Sequence, residues 1–299
     1  MNKGILYGVG AYLLWGFFPI YWKFLHDVPA LQVIGHRISW SFVLLLVYIL
    51  ITRQWNDFKS SAFKAKTMAI YAVAGILLSV NWLIYVWGVN AGFIVETSLG
   101  YFINPLLSVL LGVIFLRERL RPMQWLPVGI AAIGVIYLTA IYGRPPWIAL
   151  SLAFTFGFYG FVKKLSPLGS LYGLTLETAI VFPVALIYLL FVGFNGTGAF
   201  LHKEPSVNLL LVGSGVVTTI PLLMFASAAK QIPLTVVGLL QYIAPTLQFL
   251  ICVFVYKEPF DISHFFGFAI VWVALIIFAV ENYIAHRVMV QPIPELGEG

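Results

Sequence analysis

The sequence predicts an all-α membrane protein with ten transmembrane helices arranged as two inverted five-helix repeats. Three observations predict it. The 299 residues are 61% hydrophobic and 9% charged, with a mean hydropathy of +0.98. Soluble domains carry about 25% charged residues to cover their surface. Apolar runs of about 18 or more residues recur along the whole chain, each long enough to span hydrocarbon. The chain also resembles itself at an offset of 140 to 141 residues.

The spans fall at roughly 4–22, 30–51, 67–88, 96–116, 124–142, 146–162, 171–193, 207–228, 235–256 and 264–284. The first begins "MNKGILYGVGAYLLWG". It lacks a small-residue cleavage site and reads as a membrane helix, not a removable leader. Connections are short, so consecutive spans are antiparallel neighbours. Residues 291–299 are polar and rich in Pro and Gly, the composition of a disordered tail.

Lys and Arg set the orientation. With a cytoplasmic N-terminus, the inside holds Lys3, Arg53, Lys59, Lys64, Lys66, Arg117, Arg119, Arg121, Lys163, Lys164, Lys230 and Arg287. The outside holds Lys23, Arg37, Arg144, Lys203 and Lys257. The bias places both termini in the cytoplasm. The formal charge of +6 therefore orients the chain and is not a nucleic-acid footprint.

The repeat is read by sliding the chain along itself. At 140 residues, "GYFINPLLSVLLGVIFLRERL" lies over "LQYIAPTLQFLICVFVYKEPF". Pro105 then meets Pro245, Leu107 meets Leu247 and Glu118 meets Glu258. At 141 residues, "WGFFPIYWK" lies over "FGFYGFVKK", so that Gly16 meets Gly157 and Lys23 meets Lys164. A near-constant offset in separate regions marks two halves, 1–143 and 144–290. An odd number of spans per half inverts the second half. In transporters built this way the substrate site lies near the midplane, where helices are interrupted. Pro105 and Pro245 are the expected interruptions of spans 4 and 9, since each removes a backbone N–H and frees a carbonyl four residues earlier.

Polar residues at membrane depth mark the candidate cavity. Glu96, Gly100, Tyr101, Asn104, Pro105 and Ser108 share one stripe of span 4. Gln241, Pro245 and Gln248 repeat it on span 9, with Tyr242 beside Gln241 as a further cavity candidate, and Asn81, Trp82 and Tyr85 add span 3. The expected lining is therefore spans 3, 4, 8 and 9. Asn104 and Gln241 fit two roles, substrate contact or interhelical hydrogen bonding. His36 and Arg37 open span 2, and the offset lays His36 over Glu177. His36, Arg37, Glu96 and Glu177 are thus titratable candidates for ion coupling, or else anchors at helix ends. Glu118 and Glu258 are expected to pair with Arg119, Arg121 or Lys257. Most aromatics read as lipid-facing or interfacial. There is no phosphate loop, no zinc spacing and no specific Ser/His/Asp motif, so no catalytic set, metal or cofactor is expected. The single Cys252, inside an apolar run, excludes a disulfide framework.

These motifs resemble a known family. "HRISWS", "NWLIYVWGVN", "ETSLGYFINPLLSVLLGVIFLRERL", "TTIPLLMFASAAK" and "GLLQYIAPTLQFLICVFVYKE" resemble the RarD branch of the EamA-type transporters, in the drug/metabolite transporter superfamily. The resemblance covers about residues 4–287. It implies ten helices, a bacterial inner-membrane location with both termini cytoplasmic, and a permease. The expected function is secondary transport of a small metabolite or drug, as an exporter working by alternating access. The expected partners are that substrate, membrane lipid and a coupling proton or counter-substrate, with no nucleic acid. The rival readings are a membrane sensor or scaffold and an intramembrane enzyme.

Overall fold

A chain this apolar has to pair its own backbone groups, because hydrocarbon offers them no water. In the computed structural model, which describes residues 3–257 and 262–290, every regular element is a helix. The elements are α1 (Lys3–Gly16), α2 (Phe18–Lys23), α3 (Ala30–Ile51), α4 (Trp55–Ala62), α5 (Ala65–Asn90), α6 (Ile94–Ile114) and α7 (Trp125–Tyr142). Then come α8 (Trp147–Leu165), α9 (Ser170–Phe194), α10 (Pro205–Gln231), α11 (Leu234–Leu240), α12 (Ile243–Leu250) and α13 (Ile262–Val290). Nine stretches among the described residues are long and apolar enough to cross a membrane. In α13 the described apolar stretch is Ala269–Glu281. The expected tail at 291–299 and Glu258 lie outside the described residues.

Four local details differ from the sequence reading. The first span is broken at Phe17 into α1 and α2, with Pro19 in the first turn of α2. Pro19 has no N–H to give the Trp15 carbonyl, which accepts Gln248 Nε2 at 3.1 Å instead. The ninth span is broken at Gln241–Tyr242, between α11 and α12, and ends in a π-helical turn over Ile251–Val255. Helix α6, in contrast, runs unbroken through Pro105. One missing bond within 21 residues leaves enough ladder to hold the helix. The short helix α4 was not legible in the sequence. It forms because Phe58 and Ala62 bury one face against Tyr172 and Leu168.

The helices pack with a consistent exchange. Helix α6 lies on α8, and α1 lies on α10, α11 and α12. Helix α3 packs on α9 and α10, α5 on α8 and α9, α6 on α11, and α7 on α13. Glycines set the close approaches. A Cβ at Gly16 would stand 2.6 Å from Leu247, and one at Gly157 would stand 2.9 Å from Leu107. A Cβ at Gly75 would meet Val181 at 3.1 Å, and one at Gly215 would meet Trp40 at 2.6 Å. Small residues at helix crossings let backbones approach where apolar burial gives no drive between helices in lipid.

The aromatic cluster of Tyr12, Trp15, Phe156, Tyr159 and Phe225 joins α1, α8 and α10 at the centre. Below it a buried salt bridge joins Lys163 Nζ to Glu177 Oε1 at 2.6 Å, with both side chains 1% exposed. The Tyr159 hydroxyl donates to Glu177 Oε2 at 3.3 Å.

Gly215→Ala is expected to lower the thermal stability of the detergent-solubilised protein by about 1–3 kcal/mol, because its Cβ collides with the Trp40 backbone. Gly129 faces open space on α7, so Gly129→Ala is expected to be neutral or to raise stability by up to ~1 kcal/mol. Equal melting temperatures for the two variants would contradict the packing described.

Candidate functional site

The polar stripe of α6 and the break between α11 and α12 meet at a central cavity of about 300 Å³. Asn81, Trp82, Tyr85, Tyr101, Asn104, Gln241, Pro245 and Gln248 line it. Their positions follow from helix geometry. Residues 101 and 104 fall on one face of α6, and residues 81, 82 and 85 sit on consecutive turns of α5. The lining uses the C-terminal ends of the first and third spans and the N-terminal halves of α3, α6 and α8. With alternating directions, those ends share one side of the bundle. Tyr85 and Tyr101, which belong to those ends, remain 37% and 39% exposed.

The opposite side is packed shut. Glu177 and Lys163 lie there, with Lys164 Nζ donating to the Ile232 carbonyl at 2.6 Å and Lys230 Nζ to the Ser166 carbonyl at 2.7 Å. Glu118 accepts the backbone N–H groups of Leu234 at 2.6 Å and Thr235 at 2.9 Å. It thereby caps α11, where the helix dipole and the unpaired N–H groups favour a carboxylate. The ion pair expected of Glu118 is replaced by this cap, because two aligned backbone donors are closer than any described Lys or Arg.

Each polar candidate has a defined partner or a defined vacancy. Asn81 Nδ2 donates to the Leu152 carbonyl and to Thr155 Oγ1, both at 2.9 Å, so it ties α5 to α8 while facing the cavity. Gln241 Oε1 accepts from Ser108 Oγ at 3.3 Å. Asn104 Oδ1 is buried against the cavity and makes no hydrogen bond. A buried acceptor left unpaired costs about 1–3 kcal/mol. The carbonyls that Pro105 and Pro245 deprive of an N–H belong to Tyr101 and Gln241, both lining residues. The Gln241 carbonyl instead takes the Ala244 N–H at 3.2 Å.

Arg37 also lines the cavity. Its Nε donates to Thr218 Oγ1 at 2.9 Å, and its guanidinium carbon stands 4.2 Å from the Trp82 ring centroid and 4.8 Å from that of Trp22. Such cation–π contacts contribute about 0.5–2 kcal/mol each.

Other expected positions lie elsewhere. Tyr242 is fully buried between α6 and the ninth span, where its hydroxyl donates to the Phe102 carbonyl at 3.1 Å; it does not line the cavity. Pro105 likewise sits behind the lining, its carbonyl packed at Gly238. Glu96 caps α8. Its Oε1 accepts the Ile148 N–H at 2.7 Å and its Oε2 takes the Tyr142 hydroxyl. His36 and Glu177 do not meet. The His36 ring packs 5.0 Å from Phe200 in a separate outer groove of about 520 Å³. Glu177 is held by Lys163, which the sequence reading counted among the orienting charges; burial on α8 turns it inward instead.

The sequence reading also missed part of the lining. The general reading of aromatics as lipid-facing or interfacial does not hold for Trp15, Trp22 and Phe156, which line the cavity. One signal was available, since the 141-residue offset lays Trp15 over Phe156, and their rings touch edge to face at 5.9 Å.

A bundle of membrane-crossing helices around a central polar and aromatic cavity is a build found among membrane transporters. Comparisons with known proteins give the family. The model of the EamA-like transporter family matches residues 2–140. The uncharacterized transporter YojE of Bacillus subtilis is 47% identical over 287 residues, covering 93% of each chain. Protein RarD of Escherichia coli is 42% identical over 286 residues, covering 96% of this chain and 97% of its own. A solved crystal structure with 18% identity superposes with a TM-score of 0.68, over 92% of this chain and 97% of the other, and so shares the fold. The chain belongs to the EamA-like transporter family, among the relatives named RarD.

Lys163→Met is expected to destabilise the folded protein by about 3–5 kcal/mol, because Glu177 is left buried without a counter-ion. Adding Glu177→Leu should restore most of that loss. Thermal unfolding in detergent checks both, and additive losses in the double variant would contradict the pairing.

Proposed function

We propose that this protein is a secondary transporter of the bacterial inner membrane that exports a small metabolite or drug by alternating access. The observation that carries the reading is the one-sided cavity. In this reading the Lys163–Glu177 pair and the Glu118 cap close the side of the N-terminus, and the support is that the lining comes from the opposite helix ends, with Tyr85 and Tyr101 partly exposed there. In alternating access the same contacts open and the cavity rim closes, so that the bound molecule changes sides.

The two halves, 1–143 and 144–290, supply the hinge in this reading. Its support is the exchange of equivalent contacts between them. Gly16 meets Leu247 as Gly157 meets Leu107, and Gly75 meets Val181 as Gly215 meets Trp40. Each partner is the other's counterpart at the 140- or 141-residue offset. The family model, ending at residue 140, spans one such half. Two similar packings of the same contacts can then differ by little free energy, which a rocking transporter requires.

Both termini are proposed to be cytoplasmic, from the Lys and Arg bias. With the cavity opposite the N-terminus, the conformation described is outward-facing. If the transport couples to protons, the candidate is Glu177 together with Lys163, since His36 lies apart from both.

Two measurements test the proposal. In intact cells, with Cys252→Ser as background, single cysteines at exposed positions 59, 119 and 203 are treated with an impermeant thiol reagent. Labelling is expected at 203 and absent at 59 and 119; the reverse pattern overturns the orientation. In proteoliposomes, a panel of small metabolites and drugs is expected to include one whose flux requires the protein and falls on Asn104→Leu. Flux of none would defeat the transport reading.

A further inference from the structure

We propose that the substrate is a small organic carboxylate with a planar aromatic body, and that Arg37 is the group that binds its carboxylate. This rests on the transport reading and narrows it to a chemical class.

The argument starts from charge. Arg37 is the single ionised side chain among the described residues that line the cavity. No described carboxylate neutralises it. The salt bridges of the described residues are His26–Asp27, Arg121–Glu281 and Lys163–Glu177. Glu96, the acidic residue of the α6 stripe, is committed to the start of α8 and to Tyr142. A guanidinium stays protonated, so it keeps its charge in a site set within the membrane. Removing such a charge from water without a counter-ion costs several kcal/mol. Occlusion of the cavity is therefore favoured only when an anion enters with it.

Geometry selects the kind of anion. Of the five N–H donors of Arg37, Nε is committed to Thr218, which fixes the orientation of the fork. The indoles of Trp22 and Trp82 cover the guanidinium, with ring centroids 4.8 and 4.2 Å away. The two terminal nitrogens carry the remaining four N–H donors of the fork. A planar edge with parallel N–H groups matches a carboxylate bidentately. The rest of the cavity is built for a flat apolar body, with Tyr85 and Tyr101 in edge contact at 5.8 Å and Trp15 against Phe156. Its volume of about 300 Å³ lies at the low end for small-molecule sites. Asn104 Oδ1, buried and unpaired, adds an acceptor for one hydroxyl or amine donor on the same molecule. A cation finds no carboxylate here, and a neutral compound leaves Arg37 unpaired.

The test uses purified full-length protein in detergent and three probes of similar shape: 4-hydroxybenzoate (anion), benzamidine (cation) and benzyl alcohol (neutral). Binding is read by quenching of tryptophan fluorescence, since Trp22 and Trp82 flank Arg37, and by the shift in melting temperature. Tight binding is expected for 4-hydroxybenzoate alone. Arg37→Gln, which can keep a hydrogen bond to Thr218, should weaken it by about 10- to 100-fold. Arg37→Lys should give an intermediate loss, because it keeps the charge without the fork. The melting temperature of each ligand-free variant shows that it is folded. Should Arg37→Gln destabilise the protein, Asn104→Leu offers a second check, with weaker binding expected for 4-hydroxybenzoate than for benzoate relative to wild type. Equal affinity in wild type and Arg37→Gln, a preference for either other probe, or no binding of the anion overturns the assignment. The two readings fail separately. Binding of the carboxylate without flux in proteoliposomes sinks transport and leaves the anion site. Flux of a cation or neutral drug that Arg37→Gln does not alter sinks the anion site and leaves transport.

Discussion

A peptide group placed in hydrocarbon has no water to pair with, and the rest of this structure follows from that. It makes every regular described element helical. It also governs the helix ends. Helix α11 begins inside the bundle, where its first N–H groups would be unpaired, and Glu118 reaches across from the end of α6 to accept two of them. Glu96 does the same for α8. Both carboxylates are bound to backbone, so the charge that would be costly in lipid is spread onto a helix terminus. The same constraint bears on irregular backbone beside the cavity. The break at Gln241–Tyr242 and the proline-freed carbonyl of Tyr101 both sit beside space that water or a bound molecule can enter.

Packing between the helices depends on small residues more than on large ones. Lipid tails are as apolar as leucine, so burying leucine against leucine gains little. What distinguishes one crossing from another is how close two backbones come. Gly16, Gly157, Gly75 and Gly215 each admit a side chain from the other half of the chain. These contacts hold the walls of the cavity at a fixed spacing without filling it. Aromatic rings then do the filling. Trp15 and Phe156 form its floor over Tyr159 and Phe225, and the Lys163–Glu177 pair lies beneath them.

The buried charges fall into two different settings. Lys163 and Glu177 satisfy each other, with Tyr159 completing the carboxylate. They make a dry, closed end. Arg37 is held by Thr218 and two indoles and has no described acidic partner. The first group is paired within the protein, and the second is held by one hydroxyl and two aromatic faces. A single bundle can hold both because the Lys163–Glu177 pair and the cavity lie on opposite sides of the central aromatic cluster.

Much of this was legible in the sequence. Apolar runs set the helices, because span length follows directly from bilayer thickness. Helical periodicity put Tyr101 and Asn104 on one face, and they do share the cavity. The tertiary structure decided what lies beyond a single helix. Glu96 and Tyr242 carry the same polar pattern as their neighbours, yet one caps α8 and the other locks onto the Phe102 carbonyl, because a neighbouring backbone happens to be in reach. Lys163 reads as a surface charge at a helix end and is buried on Glu177 from another helix. The general reading of aromatics as lipid-facing or interfacial does not hold for Trp15, Trp22 and Phe156, which line the cavity, since hydrophobicity alone does not say whether an apolar ring faces lipid or protein. Periodicity fixes which side chains share a helix face; only the packing of one helix on another decides what that face meets.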